Sequence, residues 1–154
     1  PLPTDTAPAG NWQSDSKVSP IDNTTTITLS LNADSGYGGN SLLAVTPVLY
    51  VRCQKKAMDV FIYTGVLAVE PNNLESSTIR LKYDQGQPYS LTLAQSTNSE
   101  AVFFSDPIGT ALDLLIHKTL IVEFNTYEYG LQDATFNISG LSSLIQPLRT
   151  ECGW

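Results

Sequence analysis

At 154 residues the chain is the length of one domain, long enough to bury a core without help from a metal. Hydrophobic residues make up 42% of it and charged residues 15%; the charged share is well below the ~25% usual in soluble domains, so solubility rests on Ser, Thr, Asn and Gln. Fifteen acidic against eight basic residues leave a net charge of −7, which offers no positive field for nucleic acid or for an anionic membrane surface.

The first seventeen residues, PLPTDTAPAGNWQSDSK, are rich in Pro, Thr and Ser and show no apolar period. They read as a flexible leader up to about residue 10, with Trp12 as an anchor that folds back onto a domain of residues 11–154. Ordered structure is expected from about Thr24. There Ile27, Leu29 and Leu31 alternate with Thr26, Thr28 and Ser30, the period of two of a half-buried strand. The glycine-rich ADSGYGGNS lacks the Lys-Ser/Thr ending of a phosphate loop and reads as a connector. PVLYVRC then places Leu49, Val51 and Cys53 on one face, and MDVFIYTG follows a short turn at QKKA to complete a hairpin.

After the polar stretch EPNNLESS, the segment STIRLKYD points Ile79, Leu81 and Tyr83 one way. YSLTLAQ answers with Tyr89, Leu91 and Leu93 across the turn DQGQP. EAVFFS is a further short strand. At Asp106-Pro107 the period changes: Asp is a good N-cap, and Pro is tolerated in a first turn. Ile108, Ala111, Leu112, Leu115 and Ile116 then fit the buried stripe of an amphipathic helix ending near Lys118. Two strands, TLIVEFNTY and DATFNIS, follow. In the closing GLSSLIQPLRTECGW, Leu141, Leu144, Ile145 and Leu148 have helical spacing, but Pro147 predicts a kink or two short turns. The fold expected is mainly β (α+β in class): an antiparallel, β-sandwich-like domain of about eight strands with two short helices and one disulfide.

Chemistry is sparse. Cys53 and Cys152 have no zinc-ligand spacing, and the single histidine, His117, cannot complete a tetrahedral site with them. They read as a disulfide, with two inert buried thiols as the alternative; a bridge would place the protein in an oxidising compartment. His117 stands at the end of the predicted helix, where an imidazolium interacts well with the helix dipole. No nucleophile elbow, zinc-protease helix or calcium loop occurs, and no catalytic residue, metal or cofactor is predicted. Glu123, Glu128 and Asp133 are the carboxylates that could act as an acid/base pair, although Glu123 alternates with apolar neighbours as a solvent-facing residue does. Tyr37, Tyr127, Glu128 and Tyr129 form the candidate ligand or partner surface, because aromatics beside carboxylates can stack on a sugar or a peptide. The basic cluster Arg52, Lys55 and Lys56 reads as a solvated turn. No apolar run reaches the ~18 residues of a membrane span. The chain opens on Pro1 and its one methionine is Met58, as expected after removal of a signal peptide or after truncation.

SPIDNTTTITLSL followed by LYVRCQ, the helix SDPIGTALDLL, and ATFNISGL followed by PLRTECGW together resemble the VasI/TagO family of type VI secretion-associated proteins. The resemblance extends over about residues 11–154, and the Cys-Gly-Trp ending is its most specific part. The central stretch from Leu67 to Gln95 departs from the family's wording. Membership would imply a periplasmic or otherwise exported bacterial accessory protein without catalytic residues, working through contacts with an envelope or secretion-apparatus protein. It would also match Cys53 and Cys152 to the family's two cysteines. The rival reading is a binding module for a cell-wall or carbohydrate ligand. A cleft lined by Tyr and carboxylates would favour the rival, and an exposed apolar patch or open edge strand would favour the adaptor.

Overall fold

A computed structural model describes residues 9–40, 42, 44–70 and 75–154. Nine strands alternate with short turns: β1 (Gln13–Val18), β2 (Thr25–Asn32), β3 (Val48–Gln54), β4 (Ala57–Tyr63), β5 (Ser76–Tyr83), β6 (Tyr89–Gln95), β7 (Ala101–Phe103), β8 (Thr119–Thr126) and β9 (Gly130–Asn137). Helix α1 (Pro107–Ile116) lies between β7 and β8. A 3-10 turn at Leu141–Ser143 and helix α2 (Gln146–Cys152) close the described chain. All strands join one antiparallel sheet in the order β1-β2-β3-β4-β7-β6-β5-β8-β9. The mainly β, antiparallel class with two short helices and one disulfide is as expected; the strands number nine and form a single sheet.

The alternation read from sequence sets the register. Leu29, Leu31, Leu49, Val51, Cys53, Val60, Ile62, Ile79, Leu81, Leu120, Val122 and Phe136 are all buried, while their neighbours along each strand face outward. One apolar face must be covered, and the sheet covers it by curling. The Asp34 amide, just beyond β2, donates to the Thr135 carbonyl on β9 at 2.8 Å. The indole N–H of Trp12 donates to the Ile138 carbonyl at 3.0 Å.

Two expectations need correction. Ordered structure does not start at Thr24, because residues 13–18 pair with β2 from Val18↔Thr25 to Gln13↔Ser30. Every residue of β1 is exposed, so it carries no apolar alternation for a reader to find. Residues 1–8 lie outside the described residues, but Ala9 accepts a hydrogen bond from the Trp12 amide, and the Ala9 and Gly10 backbone runs against Ser139 and Gly140.

The second correction concerns α1. Its cap is as expected: Asp106 Oδ1 accepts from the Gly109 amide at 3.0 Å, and Pro107 stands in the first turn. The buried residues, however, are Ala111 and Leu114. Leu115 is half-buried, while Ile108, Leu112 and Ile116 are 40%, 45% and 74% exposed. PIGTALDLLI is apolar around most of its circumference, so periodicity cannot choose the buried side. The small Ala111 lets the helix approach β4 on one face, and an apolar row is left in solvent. In the β5–β6 hairpin, likewise, Leu93 is buried but Tyr89 is exposed at the strand's start.

The C-terminal segment breaks in two, as Pro147 predicted. Pro147 sits in the first turn of α2, and Leu148 is fully buried. Gly153 adopts a left-handed conformation (φ 75°) that returns its amide to the Arg149 carbonyl at 2.7 Å. The Arg149 guanidinium lies 4.6 Å from the Trp154 ring centroid, and its Nε donates to the Trp154 carbonyl. Cys152 is bonded to Cys53 with 5.9 Å between their Cα atoms, which fastens α2 beneath β2 and β3.

Register also sorts the connections. The β1–β2, β3–β4 and β5–β6 turns and both helices lie at one end of the sheet. At the other lie residues 33–40 and 44–47, residues 64–70, the loop 96–100 and the β8–β9 turn. The QKKA hairpin at the helical end has Lys55 and Lys56 both at positive φ (51° and 64°), the geometry that suits two-residue hairpins. Lys56 reaches Glu151 of α2 at 3.2 Å.

Replacing Cys53 and Cys152 together with alanine should release a cross-link spanning 99 residues and cost about 4–5 kcal/mol in the chain-entropy model. Reversible denaturation should show the midpoint falling by roughly 10–15 °C for a chain of this size. Trp12→Ala should cost about 3–5 kcal/mol through its vacated site, although Trp12 stands ahead of every strand legible in the sequence. An unchanged midpoint would mean that the N-terminal segment packs without contributing to stability.

Candidate functional site

The loop end of the sheet holds a cleft of about 320 Å³. Tyr37, Tyr127, Glu128 and Tyr129, which the sequence singled out from two distant segments, all line it, together with Tyr63 and Glu100. Three short segments build it together with Glu100 just ahead of β7, and they are tied by the Tyr37 phenol and by backbone hydrogen bonds. In the glycine-rich loop, Tyr37 and Val45 pair as an antiparallel bridge with reciprocal bonds of 2.8 and 2.9 Å. That loop is therefore not the plain connector that its composition suggests.

The segment after β4 comes next. The Tyr37 phenol donates to the Thr64 carbonyl, and the Thr64 amide donates to the Glu100 carbonyl at 2.8 Å. Gly65, at φ 75°, is required here twice over. A side chain would be strained at that φ, and its Cβ would collide with the Tyr37 phenol. The third segment is the β8–β9 turn. Thr126, fully buried, accepts from the Tyr129 amide at 3.0 Å and donates to the Gly130 carbonyl at 2.8 Å. The Tyr127 amide donates to Val66 at 3.0 Å, which ties this turn to the segment after β4.

The aromatic wall is ordered in the same way. Tyr37 meets Tyr129 edge-on, with centroids 5.4 Å apart and planes at 68°, and is backed by Phe124 at 6.1 Å. Tyr127 stands at the mouth, 72% exposed. Burial, reinforced by Tyr63 and Tyr129, pushes the Tyr37 hydroxyl up to about 12. It remains a neutral hydrogen-bond donor throughout ordinary pH. Glu100 accepts from the Asn98 side chain at 2.9 Å. Among the described residues the Glu128 carboxylate has neither a hydrogen-bond donor nor a cation, and no Lys, Arg or His lines the cleft.

The other candidates lie elsewhere. Glu123 and Asp133 face each other across β8 and β9 on the outer side of the sheet, and Glu123 lies 3.6 Å from Arg80. Glu128 is separated from both along the strands, so the three carboxylates form no common site. His117 follows α1 at the helical end. Its ring stacks on Tyr83 at 4.7 Å, and its Nδ1 lies 2.9 Å from Asp84. Asp84 also accepts from the Lys118 and Thr119 amides at 2.9 Å. Chiefly the Lys118 amide, with His117 and Thr119, lowers its carboxyl below the usual aspartate value. His117 thus joins a clamp between the β5–β6 turn and the end of α1. Among the described residues no three His, Cys, Asp or Glu side chains gather as metal ligands would, and no helix is long and apolar enough to cross a membrane.

A second aromatic group, Tyr50, Phe61 and Phe103, crosses β3, β4 and β7 on the outer face with centroids 4.8 and 4.9 Å apart. Arg52 sits over Phe61 and pairs with Asp59 at 2.7 Å. These rings stack on one another, so their faces are already occupied. The cleft tyrosines Tyr127 and Tyr129 were detectable because they are neighbours in sequence. Glu100 and Tyr63 were not, since one ends a polar run and the other a regular strand. No protein-family model, curated protein or solved structure matches the chain.

The Tyr37 hydroxyl has a consequence at alkaline pH. An unfolded tyrosine ionises near 10, whereas Tyr37 resists ionisation up to about 12. Its contribution is therefore complete below pH 10 and lost as pH rises towards 12. Chemical denaturation at intervals from pH 9 to pH 12 should show wild-type stability falling more steeply than that of Tyr37→Phe. At neutral pH the variant should be weaker by about 1 kcal/mol, the net worth of one hydrogen bond. Parallel curves would place the phenol in water.

Proposed function

We propose that the chain is a non-catalytic accessory protein, exported to the bacterial periplasm, that acts by holding a protein partner. The observation that carries this reading is the outward row of α1. Ile108, Leu112 and Ile116 lie one helical turn apart and are exposed together. Such a row, on a helix whose other side is firmly seated by Ala111 and Leu114, suits a rigid apolar contact surface. The Cys53–Cys152 bridge supports an oxidising compartment. The resemblance of SPIDNTTTITLSL, LYVRCQ and PLRTECGW to the VasI/TagO family supports placing the partner in the type VI secretion apparatus or its envelope surroundings.

A second reading, an envelope module for a cell-wall or carbohydrate ligand, is favoured by the tyrosine-lined cleft. Function in a secreting bacterial host separates the two. Leu112→Ser together with Ile116→Ser should leave the melting temperature within about 2 °C, because neither side chain belongs to the buried core, yet reduce the secretion phenotype by at least about tenfold if the row is a central contact. His117→Ala, Glu123→Gln, Glu128→Gln and Asp133→Asn should each keep near-normal secretion. Loss of secretion in one of the carboxylate-to-amide variants, with folding and partner binding intact, would overturn the non-catalytic reading.

A further inference from the structure

We propose that the cleft at the loop end of the sheet is a receptor for a cationic group, a primary or quaternary ammonium. Three observations point to that chemistry. Tyr37, Tyr127 and Tyr129 supply aromatic walls, and the Tyr37 ring is fixed by its hydrogen bond to Thr64 and its edge-on contact with Tyr129. A cation is attracted to such rings by their quadrupoles, more strongly where water is partly excluded. Glu100 and Glu128 add negative charge to the same cleft, and the basic side chains that pair elsewhere, Arg52, Lys56 and Arg80, go to Asp59, Glu151 and Glu123. The cleft is thus an uncompensated anionic site in a chain of net charge −7, and an anionic ligand would meet repulsion with no donor cation to offset it.

A neutral saccharide is the competing occupant. Its hydroxyls could use the other phenols and the carboxylates, but the Tyr37 hydroxyl is already committed to Thr64, and a neutral sugar would leave both carboxylate charges uncompensated. An ammonium group needs only the ring faces and the carboxylates. The volume of about 320 Å³ accepts a lysine side chain or a choline-sized molecule. This site is remote from α1, so its failure would leave the adaptor reading standing.

The test is titration of the full chain, followed by amide NMR shifts, with four probes: Nα-acetyl-lysine methylamide, choline, N,N′-diacetylchitobiose and Nα-acetyl-glutamate methylamide. One or both ammonium probes should bind with dissociation constants of about 0.1–10 mM, and the tighter of the two identifies the source of the cation. Glu128→Gln and Tyr127→Ala change exposed side chains and should keep the wild-type melting temperature. Each should weaken ammonium binding by about five- to tenfold. Raising salt about tenfold should weaken it further through screening. Failure of both ammonium probes to bind, with or without disaccharide binding, binding of the glutamate probe as tight as theirs, or ammonium binding unchanged in both variants, would overturn the proposal.

Discussion

A single sheet with one apolar face has to find something to lay that face against, and the described residues offer no second sheet. The answer is curvature. The strip bends until the residues flanking its first two strands hydrogen-bond to those at the end of its last one, through Trp12 to Ile138 and Asp34 to Thr135. The helices complete the cover. Leu148 and Cys152 of α2 close the space beneath β2 and β3, and Ala111 and Leu114 of α1 pack towards β4. The bonded Cys53–Cys152 pair is the covalent record of that arrangement. It joins a strand residue with no exposure to the last turn of a seven-residue helix, which is too short to persist alone.

With helices and tight turns gathered at one end, the loops at the other are free to build a site. Tyr37, Thr64, Glu100 and Thr126 come from segments far apart in the chain, and the Tyr37 phenol with backbone bonds from Thr64 to Glu100 and from Tyr127 to Val66 holds them in one constellation. The division follows a common pattern, in which a scaffold carries stability and the connections it positions carry recognition. Here Gly65 marks the boundary. It follows β4 by two residues and leaves open the space occupied by the Tyr37 phenol.

How much of this was legible depended on whether a residue's role leaves a local trace. Ile79, Leu81 and Tyr83, or Leu49, Val51 and Cys53, announce their strands because one face is buried and the other is not. QSDSKV announces nothing, because a strand wet on both faces has no period; only pairing with β2 makes it a strand. α1 fails in the opposite way, since its apolar residues surround the axis and only tertiary contact decides which of them face inward. Of the site, Tyr127, Glu128 and Tyr129 could be read as a cluster and Tyr37 as an aromatic placed oddly among glycines. Glu100 could not, because its place in the cleft comes from the Thr64–Glu100 backbone bond across β4 and β7. The Cys-Gly-Trp ending resolves into separate tasks: a cross-link, a left-handed cap, and a ring held under Arg149.

The Trp12–Ile138 contact spans 126 positions and the disulfide 99, and both bear on when the molecule can become itself. Local hairpins such as β3–β4 and β5–β6 can form as soon as they are made, but the curl cannot close until β9 and α2 exist. A topology with so many distant pairings folds slowly, and a chain still being synthesised has no complete core to collapse around. Such a polypeptide stays extensible until β9 and α2 have been made. The Cys53–Cys152 bridge, whose closure passes two electrons to an external oxidant, would then form only once α2 has docked, as a late step of maturation rather than its guide.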